Sequence, residues 1–144
     1  MKKNIFFFII LFSIIPIGYA QNIIDYGVIE SYNYSITNPY PDNRQSPPII
    51  RFYLDKEMMV CFSHCGSQGM TGTLMRLTGP NGDVPLSGKY GNTGLAEATV
   101  HLCSGSYLLE NIVTTERSGW NLDLTIKTSR PISAQPAAYP IALG

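Results

Sequence analysis

The chain has 144 residues, 44% hydrophobic and 14% charged, a composition that fits one folded domain and excludes both a disordered tract and a multidomain enzyme. Ten basic residues balance ten acidic ones, and setting aside Lys2 and Lys3 leaves eight against ten with no basic run. That balance argues against nucleic acid as a partner, because phosphate binding needs clustered Lys and Arg.

At the N-terminus, Lys2 and Lys3 precede an apolar run from Ile5 to Ile15, then Pro16 and the small residues of Gly18-Tyr19-Ala20. This is the pattern of a secretory signal peptide over residues 1–20, with cleavage expected after Ala20. Its apolar stretch is short of the ~20 residues that a spanning helix needs, and no later segment approaches that length. The expected mature chain is secreted or held at the cell surface without crossing the membrane. It has no cysteine near residue 20 for a lipoprotein anchor.

Beyond Ala20 no segment keeps a helical period, whereas short runs rich in Tyr, Ile, Val, Thr and Leu recur between Gly, Pro, Asn and Ser clusters. The spacing predicts strands over Val28 to Ile36, Ile49 to Leu54, Met58 to Ser63, Thr73 to Thr78, Val84 to Ser87, Glu97 to Leu102, Ser106 to Val113 and Trp120 to Lys127. Asn81-Gly82 marks a tight hairpin, and Asp55-Lys56-Glu57, Ser104-Gly105 and Ser118-Gly119 mark further turns. Pro39, Pro41, Pro47 and Pro48 place a surface loop over Asn38 to Pro48, since each proline removes a ladder donor. Its flanks, Tyr32-Asn33-Tyr34 and Arg51-Phe52-Tyr53, are expected to pair as neighbouring strands. In the last strand Trp120, Leu122, Leu124 and Ile126 alternate with polar residues, which gives one buried and one wet face. The core expected opposite them is Phe52, Leu54, Val60, Phe62, Met75, Leu77, Val100, Tyr107 and Leu109, with Asp123 and Lys127 in water. About eight strands suit an all-β, two-sheet antiparallel sandwich over residues 21–128. Residues 129–144, with Pro131, Pro136, Pro140 and several alanines, read as a linker. Tyr139 to Gly144 loosely echoes Asn22 to Gly27, as the start of a further module would.

The order of Arg51-Phe52-Tyr53-Leu54-Asp55-Lys56-Glu57-Met58, Val60-Cys61-Phe62-Ser63-His64-Cys65-Gly66-Ser67, Thr73-Leu74-Met75-Arg76-Leu77, Asn81-Gly82-Asp83 and Ser104-Gly105-Ser106-Tyr107-Leu108-Leu109 resembles that of bacterial pre-peptidase C-terminal domains. The His-Cys-Gly-Ser segment is similar to the N-terminal modules of large secreted Rhs/YD-repeat proteins of the Bacteroidetes. The resemblance spans roughly residues 24 to 127. It implies a jelly-roll sandwich that accompanies other regions of a larger chain and is not itself an enzyme. Carboxylates that family members carry beside Thr71-Gly72-Thr73-Leu74 are absent here, which weighs against a calcium site. Cys103 stands where the family has a small residue.

Cys61, His64, Cys65, His101 and Cys103 are the densest collection of nucleophile and ligand types. Cys61, Cys65, His101 and Cys103 offer a zinc-like donor set, and a histidine beside a cysteine would make a thiol enzyme. The plainer reading is one structural disulfide and a spare thiol in an oxidising compartment. Cys65 with Cys103 is the expected pair, because four extended steps of about 3.3 Å separate Cys61 from Cys65; a sharp turn at His64 would instead favour Cys61 with Cys65. No catalytic residue, metal ligand or cofactor is assigned. Among the binding candidates, Tyr32, Tyr34, Tyr40 and Tyr90 supply flat amphipathic rings on which sugars stack and proteins anchor. The partners expected are a surface polysaccharide or protein, together with further domains of a larger chain. The leading expectation is a secreted non-catalytic accessory module. A stand-alone carbohydrate-binding domain and, less favoured, a small thiol- or zinc-dependent hydrolase are the alternatives.

Overall fold

The computed structural model describes residues 22–41, 46–86, 89–90 and 94–132; the expected signal peptide and residues 133–144 of the expected linker lie outside them. The described residues form nine strands and no helix: β1 (Ile23–Ile29), β2 (Ser35–Pro41), β3 (Ile49–Leu54), β4 (Met58–Ser63), β5 (Gln68–Gly79), β6 (Gly82–Val84), β7 (Lys89–Tyr90), β8 (Ala96–Leu102) and β9 (Gly105–Ser129). β9 belongs to two layers. Its first half lies between β3 and β5, giving the order β1-β3-β9-β5-β6. Its second half lies between β2 and β4, giving β2-β9-β4-β8-β7. The inner faces close on one core in which Phe52 stacks on its register neighbour Tyr107 at 5.4 Å and meets Phe62 of the other layer at 5.8 Å. The result is a β-sandwich.

The expected core is present except that Met75 and Val100 are only partly buried, and Trp120 and Leu122 form a satellite cluster with Met70 and Leu95. Lys127 is exposed as parity predicts, whereas Asp123 is half-buried because Asn121 Nδ2 donates to its carboxylate at 2.6 Å and its backbone N–H donates to Ser67 Oγ at 2.9 Å.

Several expectations are corrected. The sheet is mixed rather than antiparallel, because β1 pairs with β3 in parallel. β2 lies in the other layer, so the chain returns to the first layer already running in the direction of β1. The expected strand Val28 to Ile36 is divided at Tyr32-Asn33, where Ser31 Oγ accepts the Asn33 N–H at 3.0 Å. Tyr32 to Tyr34 therefore leads into β2, and does not pair with Arg51 to Tyr53 of β3. Of the expected loop over Asn38 to Pro48, Asn38 to Pro41 is strand, and residues 42–45 lie outside the described residues. Tyr34 C=O accepts the Thr128 N–H at 2.9 Å, and Ser35 sits opposite Lys127. Even-numbered residues thus turn their backbone groups toward β9, and Pro39 and Pro41 face away on an edge strand, where no donor is needed. The expected turn at Ser118-Gly119 is a bend inside β9: Gly119 has φ 77° while pairing continues on either side of it. Gly69, also at φ 77°, approaches there so closely that a Cβ would lie 2.8 Å from Trp120 Cα. The Asn81-Gly82 hairpin forms as expected, with Gly79 opposite Gly82 and Gly82 at φ 107°.

The two outward faces differ. On the β1-β3-β9-β5-β6 layer, register aligns Val28 with Tyr53, Asp25 with Arg51 and Leu108, Ile23 with Ile49 and Glu110, and Leu74 with Ile112. The other face carries Ser35, Thr37, Thr125, Lys127, Cys61, Ser63, Glu97 and Thr99. Five of the six exposed large hydrophobics of the described residues (Ile23, Val28, Tyr53, Leu74 and Leu108) lie on the first.

Candidate functional site

The tyrosines expected to bind a ligand are drawn to different places. Tyr26 of β1 and Tyr40 of β2 face each other across the open side of the sandwich and share a short hydrogen bond between their hydroxyls, while Asn38 Nδ2 donates to Tyr26 Oη at 2.7 Å. Neither ring is in a loop. Tyr32, Tyr34 and Tyr40 are all half-buried and pack on the core. Burial, followed by the charge at Tyr26, raises the pKa of Tyr34; burial, followed by the hydrogen bond with Tyr26, raises that of Tyr40 further. These rings hold the layers together and offer little free face. Tyr32, in the turn before β2, differs in its neighbours: Lys56 Nζ lies 4.4 Å and Arg130 Cζ 5.4 Å from its ring centroid, within cation–π range. Three segments distant in sequence thus meet at one corner. Tyr90 lies in β7, but its side chain falls outside the described residues.

The cysteines and histidines are dispersed. Cys61 sits mid-strand opposite Thr99, and His101 sits opposite Met59. The expected Cys65–Cys103 bridge is not formed, and no disulfide joins any of Cys61, Cys65 and Cys103. Cys65 follows Ser63, which pairs with Glu97, whereas Cys103 follows Leu102, which pairs with Met58. The two thiols therefore leave opposite ends of the β4–β8 ladder, separated by at least five steps of about 3.3 Å, far beyond the ~7 Å reach of a disulfide. Cys65 is exposed, and its S–H donates to Glu97 Oε2 at 3.2 Å. Its hydrogen bond with Ser63 lowers the thiol pKa, but burial and the Glu97 carboxylate together raise it overall, so it is a poor thiolate source. No cluster of three or more His, Cys, Asp or Glu that could hold a metal occurs among the described residues.

His64 is fully buried. It leaves β4 with its N–H donated to Ala96 C=O at 2.8 Å, and its ring enters the opposite layer. Asn111 Nδ2 donates to Pro48 C=O at 3.0 Å, which turns Asn111 Oδ1 toward His64 Nε2 at 2.8 Å. His64 Nε2 must then carry the proton. The other ring nitrogen, Nδ1, accepts from the Thr73 hydroxyl at 2.8 Å, and Thr73 Oγ1 in turn accepts the Ala96 N–H at 2.8 Å. Every ring nitrogen is satisfied in the neutral form, and burial lowers the pKa, so His64 is a bridge between layers and no base for a thiol. His101 Nε2 lies 3.3 Å from Glu57 Oε2. Sequence reasoning passed over Thr73 and Asn111. Their signal was a polar side chain at an inward position of strands otherwise apolar on that face, Thr73-Met75-Leu77 and Tyr107-Leu109-Asn111.

No protein-family model matches the chain, and no curated protein matches it. Among solved structures it is similar to the pre-peptidase C-terminal domain of collagenase from Bacillus anthracis, at 15% identity and a TM-score of 0.53, over 75% of this chain and 97% of that one. The chain thus has the β-sandwich fold of a pre-peptidase C-terminal domain.

Proposed function

We propose that this protein is a secreted, non-catalytic β-sandwich module that accompanies other domains of an exported or cell-surface protein, in the manner of the modules of Rhs/YD-repeat proteins. The observation that carries the reading is the use made of the chemistry-bearing residues. The buried histidine is consumed in a satisfied network between layers, and the exposed thiol is held protonated beside a carboxylate. Neither forms the nucleophile and base pair that covalent catalysis requires. The N-terminal signal pattern supports export. Production in a bacterial host should release a chain beginning at Gln21 that alkylates at three cysteines and hydrolyses neither peptide nor glycosidic reporter substrates. Thiol-dependent turnover of any of these would reverse the assignment.

A stand-alone carbohydrate-binding role is the second reading, favoured by the corner at Tyr32. An aromatic ring flanked by Lys56 and Arg130 suits a sugar bearing a carboxylate or sulfate, because the ring supplies apolar contact and the cations pair with the acid. Screening an array of neutral and acidic glycans should show retention of acidic ones that Tyr32→Ala abolishes. Tyr34→Phe should leave it intact, and retention indifferent to Tyr32 would remove this reading.

A further inference from the structure

The outward face of the β1-β3-β9-β5-β6 layer carries most of the exposed large hydrophobics among the described residues, and the fold narrows how another chain can approach it. Strand addition at the edges is obstructed among the described residues. β1 is interrupted by a register shift between Asp25 and Val28, with Gly27 at φ 75° and its N–H donated to Asp25 Oδ1 at 2.7 Å. β2 presents Pro39 and Pro41 outward, β6 has three residues and β7 two. Such devices protect sheet edges from pairing with other chains. The face itself has no such protection, with Val28 55%, Ile23 45% and Tyr53 44% exposed.

Its pattern is complementary to itself. Along β1 the outward residues are Ile23, Asp25 and Val28; along the adjacent β3 they are Ile49, Arg51 and Tyr53, in register as Ile23 with Ile49, Asp25 with Arg51 and Val28 with Tyr53. Each strand reads apolar, charged, apolar, and the two charges are opposite. A two-fold axis running along the strands between β1 and β3 lays β1 of one copy over β3 of the other. Asp25 then meets Arg51 twice, Ile23 meets Ile49 and Val28 meets Tyr53, as an isologous contact requires. Asp25 and Arg51 already pair within one copy at 3.1 Å with both side chains about half exposed, so each retains room for the second partner.

We propose that the protein forms a weak symmetric dimer through this face, centred on Asp25 and Arg51. Weakness follows from area. Only β1 and β3 of each copy overlap about this axis, and two strands about 4.8 Å apart and about 20 Å long give a footprint of about 190 Å², against about 800 Å² per partner in a standard stable interface. The dimer is independent of the module and glycan readings above.

The test is sedimentation equilibrium, with concentration-dependent amide shifts, on the chain from residue 21 onward, which contains every strand described. Between about 20 μM and 1 mM the average mass should rise toward twice the monomer, in the range expected of an interface this small. Shifts should be confined to residues 23–28 and 49–53. Arg51→Asp should weaken association at least about tenfold, which corresponds to about 1.4 kcal/mol. The exchange Asp25→Arg with Arg51→Asp should restore it. Thr125→Lys, on the opposite face, should change nothing. A monomer throughout that range, equal loss with Thr125→Lys, or failure of the charge exchange to restore association would overturn the proposal.

Discussion

Two polar bridges join the layers of this sandwich, and they are built on opposite terms. At one, His64 crosses from the end of β4 to Thr73 and Asn111 with no exposure to solvent. At the other, Tyr26 of β1 meets Asn38 and Tyr40 of β2 along the half-buried open side. Burial has the same sense for both, since it disfavours the charged form, but it acts on groups of opposite charge type. The histidine is held neutral by a lowered pKa, and Tyr40 and its neighbour Tyr34 by raised ones. A β-sandwich is open along the side where its edge strands face each other, and here the open side is closed with hydroxyls that tolerate water, while the interior bridge must satisfy every donor and acceptor it brings in.

Removing the interior bridge should have the largest effect. His64→Ala leaves a cavity and strands Asn111 Oδ1 and the Thr73 hydroxyl, so urea midpoints should report a loss of about 3 to 5 kcal/mol. Asn111→Ala leaves the His64 ring in place but unpartnered at Nε2 and orphans Pro48 C=O. A loss of about 1 to 3 kcal/mol is expected. If Asn111→Ala proves as neutral as a surface substitution, the interior bridge is not the constraint described here.

The two bridges should also fail at opposite ends of the pH scale. The folded pKa of His64 lies below its ordinary value of 6.5. As pH falls through that value the unfolded chain takes up a proton that the folded chain refuses, and stability declines by at most about 1.4 kcal/mol per pH unit for this one group. Tyr34 and Tyr40 are shifted upward from 10.0. As pH rises through that value the unfolded chain releases protons that the folded chain keeps, so stability declines again. Denaturant midpoints across pH should form a plateau between about 6.5 and 10 with a falling limb on each side. His64→Gln should flatten the acid limb alone. The smallest effect belongs to Tyr40→Phe, which removes one hydroxyl from the open side while Asn38 still serves Tyr26. It should cost no more than about 1.5 kcal/mol and make the alkaline limb shallower, with the share of Tyr34 remaining.

Much of this architecture was written in local pattern. β3 and β4 fall at the predicted boundaries, because each is a short apolar run closed by turn residues. The last strand buries Trp120, Leu122, Leu124 and Ile126 as its period of two requires, since side chains alternate between faces whatever the strand pairs with. The sequence by itself therefore determined the all-β class, most strands and the inward parity of the core. Pairing is a different matter, because hydrogen-bond partners are chosen by distant segments. Only the tertiary structure decided that β1 runs parallel to β3, that Pro39 and Pro41 belong to an edge strand, and that β9 bends at Gly119 to serve both layers. The same holds for the sites. Four tyrosines looked alike in sequence, yet long-range packing joins Tyr40 to Tyr26 between the layers and sets Tyr32 beside two cations. Two cysteines in one short segment looked available to Cys103, yet register sends Cys65 and Cys103 to opposite ends of a ladder. A residue type fixes what chemistry is possible, and the register and burial that long-range packing imposes fix which of those possibilities has a partner within reach.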